Sequence, residues 1–117
     1  MSGPQLVVGS HDTARPVTKF LDGSERVVVV LGPTWIGHGT YRPGWRWTEH
    51  VQPMHDKDSE PHAGFVLSGE LVVRSADGSE ALVQEGQGFF VDAGHDAWVR
   101  GDAPCVALDF PIPRGEF

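Results

Sequence analysis

The residues best suited to chemistry in this chain are three histidines. His50 closes the segment Gly44-Trp45-Arg46-Trp47-Thr48-Glu49-His50, His62 opens the segment that runs to Gly69, and His95 follows Gly94. Neutral imidazoles gathered from several strands of a small β-protein form a site for a divalent ion, which polarises a substrate or activates water or oxygen. Glu60 lies two residues before His62, on the same face if that strand begins early, and would add a carboxylate ligand or an acceptor for an imidazole. His50, His62, His95 and Glu60 are thus the expected metal ligands, and Zn, Fe, Ni, Mn or Cu the expected ion. Arg46, Thr48, Trp47 and Trp98 are the expected substrate-pocket residues, since tryptophans wall an apolar pocket and an arginine clamps a carboxylate. Each has a plainer alternative. A histidine beside the core needs only one hydrogen-bond partner per ring nitrogen, and tryptophans also fill the space between sheets or cover a dimer interface. His55, beside Asp56 and Asp58, reads as a solvated loop residue.

These residues must be held by short strands. Arg26 to Leu31 carries four consecutive valines and reads as a buried strand. Trp45 to Val51 alternates, which puts Trp45, Trp47 and Glu49 on one face and Arg46, Thr48 and His50 on the other. His62 to Leu67 reads as a strand that turns tightly at Ser68-Gly69 and pairs back through Glu70 to Arg74. Ala76-Asp77-Gly78-Ser79 is a second hairpin turn. Ala81–Gln84, Gly88–Val91, His95–Arg100 and Cys105–Phe110 complete the set, with turn signals about every ten residues. No apolar pattern of helical period stands out. The fold class is therefore all-β, an antiparallel jelly-roll barrel closed around a cavity. Residues 1–14 read as a loosely ordered terminus and 15–117 as one domain.

Composition narrows the partners. A net charge of −7 argues against nucleic acid, because phosphate binding needs a basic face. No apolar run reaches membrane-spanning length, and the N-terminus lacks the charged and apolar regions of a signal peptide. The single Cys105 cannot form an internal disulfide, so a cytoplasmic home is expected. The expected partners are a small-molecule ligand or substrate and a second copy in a homodimer, paired through an edge strand.

At these motifs the chain resembles the cupin superfamily. Gly44 is followed after five residues by His50, Gly69 is preceded after six by His62, and Gly86 is followed after five by Asp92-Ala93-Gly94. It is also similar to small bacterial cupins with segments like Arg46-Trp47-Thr48-Glu49-His50 and Gly94-His95-Asp96-Ala97-Trp98-Val99. The family's His-x-His pair is reduced here to Thr48-x-His50, and His62 stands where the family has a glutamate. Ala97 and Gly101 occupy the places of the second-motif histidine and asparagine, and His95 lies two residues earlier on the same strand face as Ala97. The resemblance implies a metal-dependent enzyme of dioxygenase, isomerase or cyclase type acting on a small organic substrate. The incomplete ligand set also fits a non-catalytic binding or sensory module.

Overall fold

The computed structural model describes residues 4–112, and its strands form two antiparallel sheets. In chain order the strands are β1 (Val17–Lys19), β2 (Glu25–Leu31), β3 (Thr34–Tyr41), β4 (His62–Ser68), β5 (Glu70–Arg74), β6 (Glu80–Gln84), β7 (Gly88–Val91), β8 (Asp96–Val99) and β9 (Cys105–Phe110). One sheet has the order β1-β2-β3-β9-β4-β7 and the other β6-β5-β8. The fold is the expected all-β antiparallel jelly roll, with the sheets facing each other as a sandwich rather than joined into one closed ladder. No helix among the described residues is long and apolar enough to cross a membrane.

Alternation sorts the side chains of the large sheet. Gly37, Gly39 and Tyr41 of β3, Cys105, Ala107 and Asp109 of β9, and Gly64 and Val66 of β4 stand on its inner face, as the register requires. Val66 and Cys105 are fully enclosed there. Burial of a valine side chain contributes roughly 1.5–3 kcal/mol relative to exposure. Burial also pushes the Cys105 thiol up to about 11. The small sheet contributes Leu71, Val73, Val83, Ala97 and Val99 from the opposite side. The hairpin between β5 and β6 turns as its residues predict: the Asp77 carboxylate accepts from the Ser79 amide at 2.9 Å, and Gly78 takes a positive φ of 92°.

Three local expectations are corrected. The valine strand β2 is only half covered: Val27 is buried, but Val30, near the far end of the strand, is 59% exposed. β4 and β5 do not pair as a hairpin. β4 pairs with β7 and β9, whereas β5 pairs with β6 and β8, so Ser68-Gly69 carries the chain from one sheet to the other. Gly69 has a φ of 80° and passes so close to Pro104 and Cys105 that a Cβ would overlap them. Trp45 to Val51 is not a strand. Arg46 makes one isolated bridge to Trp98, then two single-turn helices follow, α1 (Trp47–His50) and α2 (Gln52–His55). The cause is tertiary: Asp96 of β8 accepts from the free Thr48 amide in the first turn of α1 at 3.1 Å, and Pro53 opens α2 where its missing N–H costs nothing.

Candidate functional site

A cavity of about 740 Å³ lies between the sheets. Small residues on the inner face of the large sheet make the room. Arg26 stands opposite Gly39, and Asp109 stands between Gly37 and Gly64. Arg26 reaches across β3 to Asp109, donating from Nε at 3.0 Å to Oδ1 and from Nη2 at 2.7 Å to Oδ2. A Cβ on Gly37 would overlap the Asp109 carboxylate and stand 2.7 Å from Arg26 Nη2, so only glycine admits this pair. The hydrogen bond to Asp109 holds the Arg26 guanidinium above its ordinary value despite burial. Tyr41 folds its ring back over Gly39, and burial pushes its phenol up.

Two of the three histidines meet in this cavity. His62 is the first residue of β4, paired with Val91 of β7. His95 sits just before β8, where the loop from α2 is tied to it. Ser59 Oγ donates to the His95 carbonyl at 2.7 Å, and the Gly94 amide donates to the Ser59 carbonyl at 3.0 Å. The His95 ring places Nδ1 3.0 Å from the Asp92 carbonyl. A carbonyl only accepts, so the proton of this contact is on Nδ1 and the Nε2 edge is left for other partners. The two ring centroids are 6.0 Å apart. Phe89 lies against His62 at 5.8 Å and Trp47 against His95 at 6.4 Å. Burial pushes His62 below its ordinary value of 6.5; Asp109 opposes this, and His95 and Arg26 add to it. His62 is therefore a neutral ring, able to donate from one nitrogen and accept at the other.

The other residues singled out from the sequence lie elsewhere or at the rim. His50 is on α1, where its Nδ1 accepts from the Arg46 amide at 2.9 Å and caps its own helix, away from the cavity lining. Glu60 is at the cavity mouth with its side chain 80% exposed, 4.0 Å from Lys57 Nζ. Trp47 lines the cavity, but Arg46, Thr48 and Trp98 do not. These three gather around Asp96: Arg46 Nε donates to Oδ2 at 2.8 Å, Thr48 Oγ1 to the same oxygen at 3.0 Å, and the Arg46 guanidinium lies 4.5 Å from the Trp98 ring. Sequence reasoning missed Arg26 and Asp109. The available signal was parity: Asp109 is the lone charge in β9 and shares a face with Cys105 and Ala107, so it had to point inward with a partner.

The donor set bears on a resident metal. His62 and His95 are two imidazoles of the kind such ions take. Among the described residues, however, no group of three or more His, Cys, Asp or Glu side chains converges to hold one. Asp109 is occupied by Arg26, and Glu60 faces solvent. These residues do not compose a three-donor centre.

Comparison with known proteins gives the family and the fold. The sequence matches the family described as Cupin domain over residues 37–111. No curated protein matches it in sequence. Among solved structures, a protein of unknown function from Vibrio parahaemolyticus is similar at a TM-score of 0.62 and 15% identity, covering 81% of this chain and 95% of that one. The Drosophila melanogaster CENP-C cupin domain is similar at 0.62 and 14%, covering 92% and 82%. Apo-HppE is similar at 0.65 and 17%, covering 92% of this chain and 58% of that one.

Proposed function

This chain belongs to the cupin family, and we propose that it is a small-molecule-binding module whose ligand enters the cavity between the sheets. The observation that carries this reading is the convergence of two polar rings, His62 and His95, on an otherwise mostly aromatic and apolar lining of about 740 Å³. A space of that size, with few polar points in apolar walls, is the usual form of a small-molecule site. Among the described residues no third His, Cys, Asp or Glu joins the imidazoles to hold an ion, which favours binding over metal-dependent turnover. Trp45 and Trp47 line the cavity, so their fluorescence reports occupancy. A screen of small organic molecules should give a saturable response, weakened about tenfold in His62→Ala and in His95→Ala through loss of one hydrogen bond each. A binder whose affinity neither variant changes would place the ligand elsewhere and sink the proposal.

A metal-dependent enzyme of dioxygenase, isomerase or cyclase type is the second reading. The Nδ1 contact of His95 with the Asp92 carbonyl favours it, since metal-ligating imidazoles are oriented by such bonds. Calorimetry of chelator-stripped protein with Zn, Fe, Ni, Mn and Cu salts tests it. Stoichiometric binding lost in His62→Ala supports this reading, and no binding of any ion refutes it. A cytoplasmic homodimer is the assembly we infer. Phe65, Leu67 and Phe90, exposed on the outer face of the large sheet, support pairing, and sedimentation velocity measures it.

A further inference from the structure

We propose that the cavity selects an uncharged, flat aromatic ligand, and that the Arg26–Asp109 pair sets its discrimination against ions. This deepens the small-molecule reading and rests on it. The shape argument comes from a continuous ribbon of rings. Phe89, His62, His95 and Trp47 follow one another along the wall, with centroids 5.8, 6.0 and 6.4 Å apart and interplanar angles of 28°, 41° and 40°. Phe89, His62 and Trp47 are only half-buried, so their rings keep area for a guest. Flat rings meet such surfaces by offset or edge contacts, which a puckered ligand cannot match over the same area.

The charge argument comes from what the interior pair leaves available. A free guanidinium in an apolar cavity would clamp a carboxylate through two parallel bonds. Here Asp109 already holds Nε and Nη2 of Arg26 in that geometry. The donors left on Arg26 belong to a guanidinium whose charge Asp109 already balances, so an entering anion gains little there and is repelled by the carboxylate beside it. An entering cation fares no better, because both Asp109 oxygens are engaged by Arg26. The two fixed interior charges cancel. At the mouth, Lys57 faces Glu60 at 4.0 Å, and Asp58 leaves the rim with an excess negative charge that turns anions away. Among the polar groups of the lining, His62 and His95 stand within the ribbon of rings, suited to a hydroxyl or carbonyl on an aromatic ring.

The test is calorimetry of the whole chain with four probes of similar size: 2-naphthol, 2-naphthoate, naphthalen-2-ylmethylammonium and decahydro-2-naphthol. The expected order puts 2-naphthol first, with both ions weaker by about tenfold or more and the saturated alcohol weaker by about fivefold. Naphthoate binding as tightly as naphthol overturns the charge argument, and equal binding of the saturated alcohol overturns the shape argument. Binding of none of the four overturns the aromatic-ligand proposal, whereas the small-molecule reading falls only if the fluorescence screen also finds no binder. Two variants locate the discrimination, with circular dichroism checking their folding. Asp109→Asn releases the guanidinium and should shift the naphthoate-to-naphthol preference toward the anion by about tenfold. Arg26→Gln leaves the carboxylate and should shift preference toward the ammonium. A folded variant of either kind with an unchanged preference removes the pair from the role assigned to it.

Discussion

The molecule holds two arginine–aspartate pairs of nearly equal bond length in different settings. Arg46 and Asp96 meet at 2.8 Å on the outer side of the small sheet, and Arg26 and Asp109 meet at 2.7 Å inside the cavity. Both carboxylates are well covered, at 11% and 7% side-chain exposure. They differ in what else they do. Asp96 accepts from Arg46, from the Thr48 amide and hydroxyl and from the Ala97 amide, so its acceptor capacity is spent on joining α1 to β8. Asp109 accepts from Arg26 alone among the described residues and shares its cavity with His62. An ion pair with every acceptor committed is a clamp. One that faces open volume with its charges balanced is a filter.

Breaking the clamp should have the largest effect. Asp96→Ala strands Arg46 and the Thr48 amide together and should lower unfolding free energy by about 3–5 kcal/mol, read from urea denaturation. A loss below about 1 kcal/mol would mean that α1 holds without it. Asp109→Ala should cost less, about 1–3 kcal/mol, because it strands Arg26 alone, whereas Asp96 also holds the Thr48 amide and hydroxyl and the Ala97 amide. If Asp109→Ala proves the more damaging of the two, the contrast between clamp and filter collapses. Thr48→Ala removes one hydroxyl bond and leaves the amide contact, for about 1 kcal/mol.

Acid sharpens the comparison further. Burial raises the Asp96 pKa, but the bonds from Arg46, Thr48 and the amides of Ala97 and Thr48 outweigh it and hold the carboxyl below its ordinary 3.8. Its contribution is complete above 3.8 and fades as pH falls through the lower folded value, so Asp96→Asn should flatten the acid limb of the stability curve below that pH. His62 acts in a higher window with the smallest effect. Its folded value lies below 6.5, so the unfolded chain binds the proton first, and stability declines as pH drops from 6.5 toward the folded value. The difference between wild type and His62→Phe, both chelator-treated, should show this slope, no steeper than about 1.4 kcal/mol per pH unit. A pH-independent difference would mean that His62 ionises equally in both states.

The sequence made the second half of the fold legible because its turns are chemically explicit. Asp77-Gly78 and the glycines at 86 and 94 mark where strands stop, and β5, β7 and β9 begin and end where expected. The segment from Trp45 to His55 was not legible. Its tryptophans alternate as in a strand, and the cap that makes α1 a helix comes from Asp96, forty-eight residues beyond Thr48. The Ser68-Gly69 crossing was hidden for a similar reason: a tight turn between two strands looks the same whether they pair or part. The site was half legible. His62 and His95 stand on strand-end positions that alternation could aim. Arg26 and Asp109 are eighty-three residues apart, and only the register of β2, β3 and β9 brings them together.

Cys105 has a practical consequence. It is the only cysteine of the chain, it is fully enclosed in a strand flanked by β3 and β4, and its thiol is pushed up to about 11. In the native state it should be silent toward thiol reagents at neutral pH. Each labelling event then counts an opening of the centre of the large sheet. The protein carries its own stopwatch: the rate of thiol modification, with and without a bound guest, times how firmly the sandwich is shut, and no probe has to be introduced.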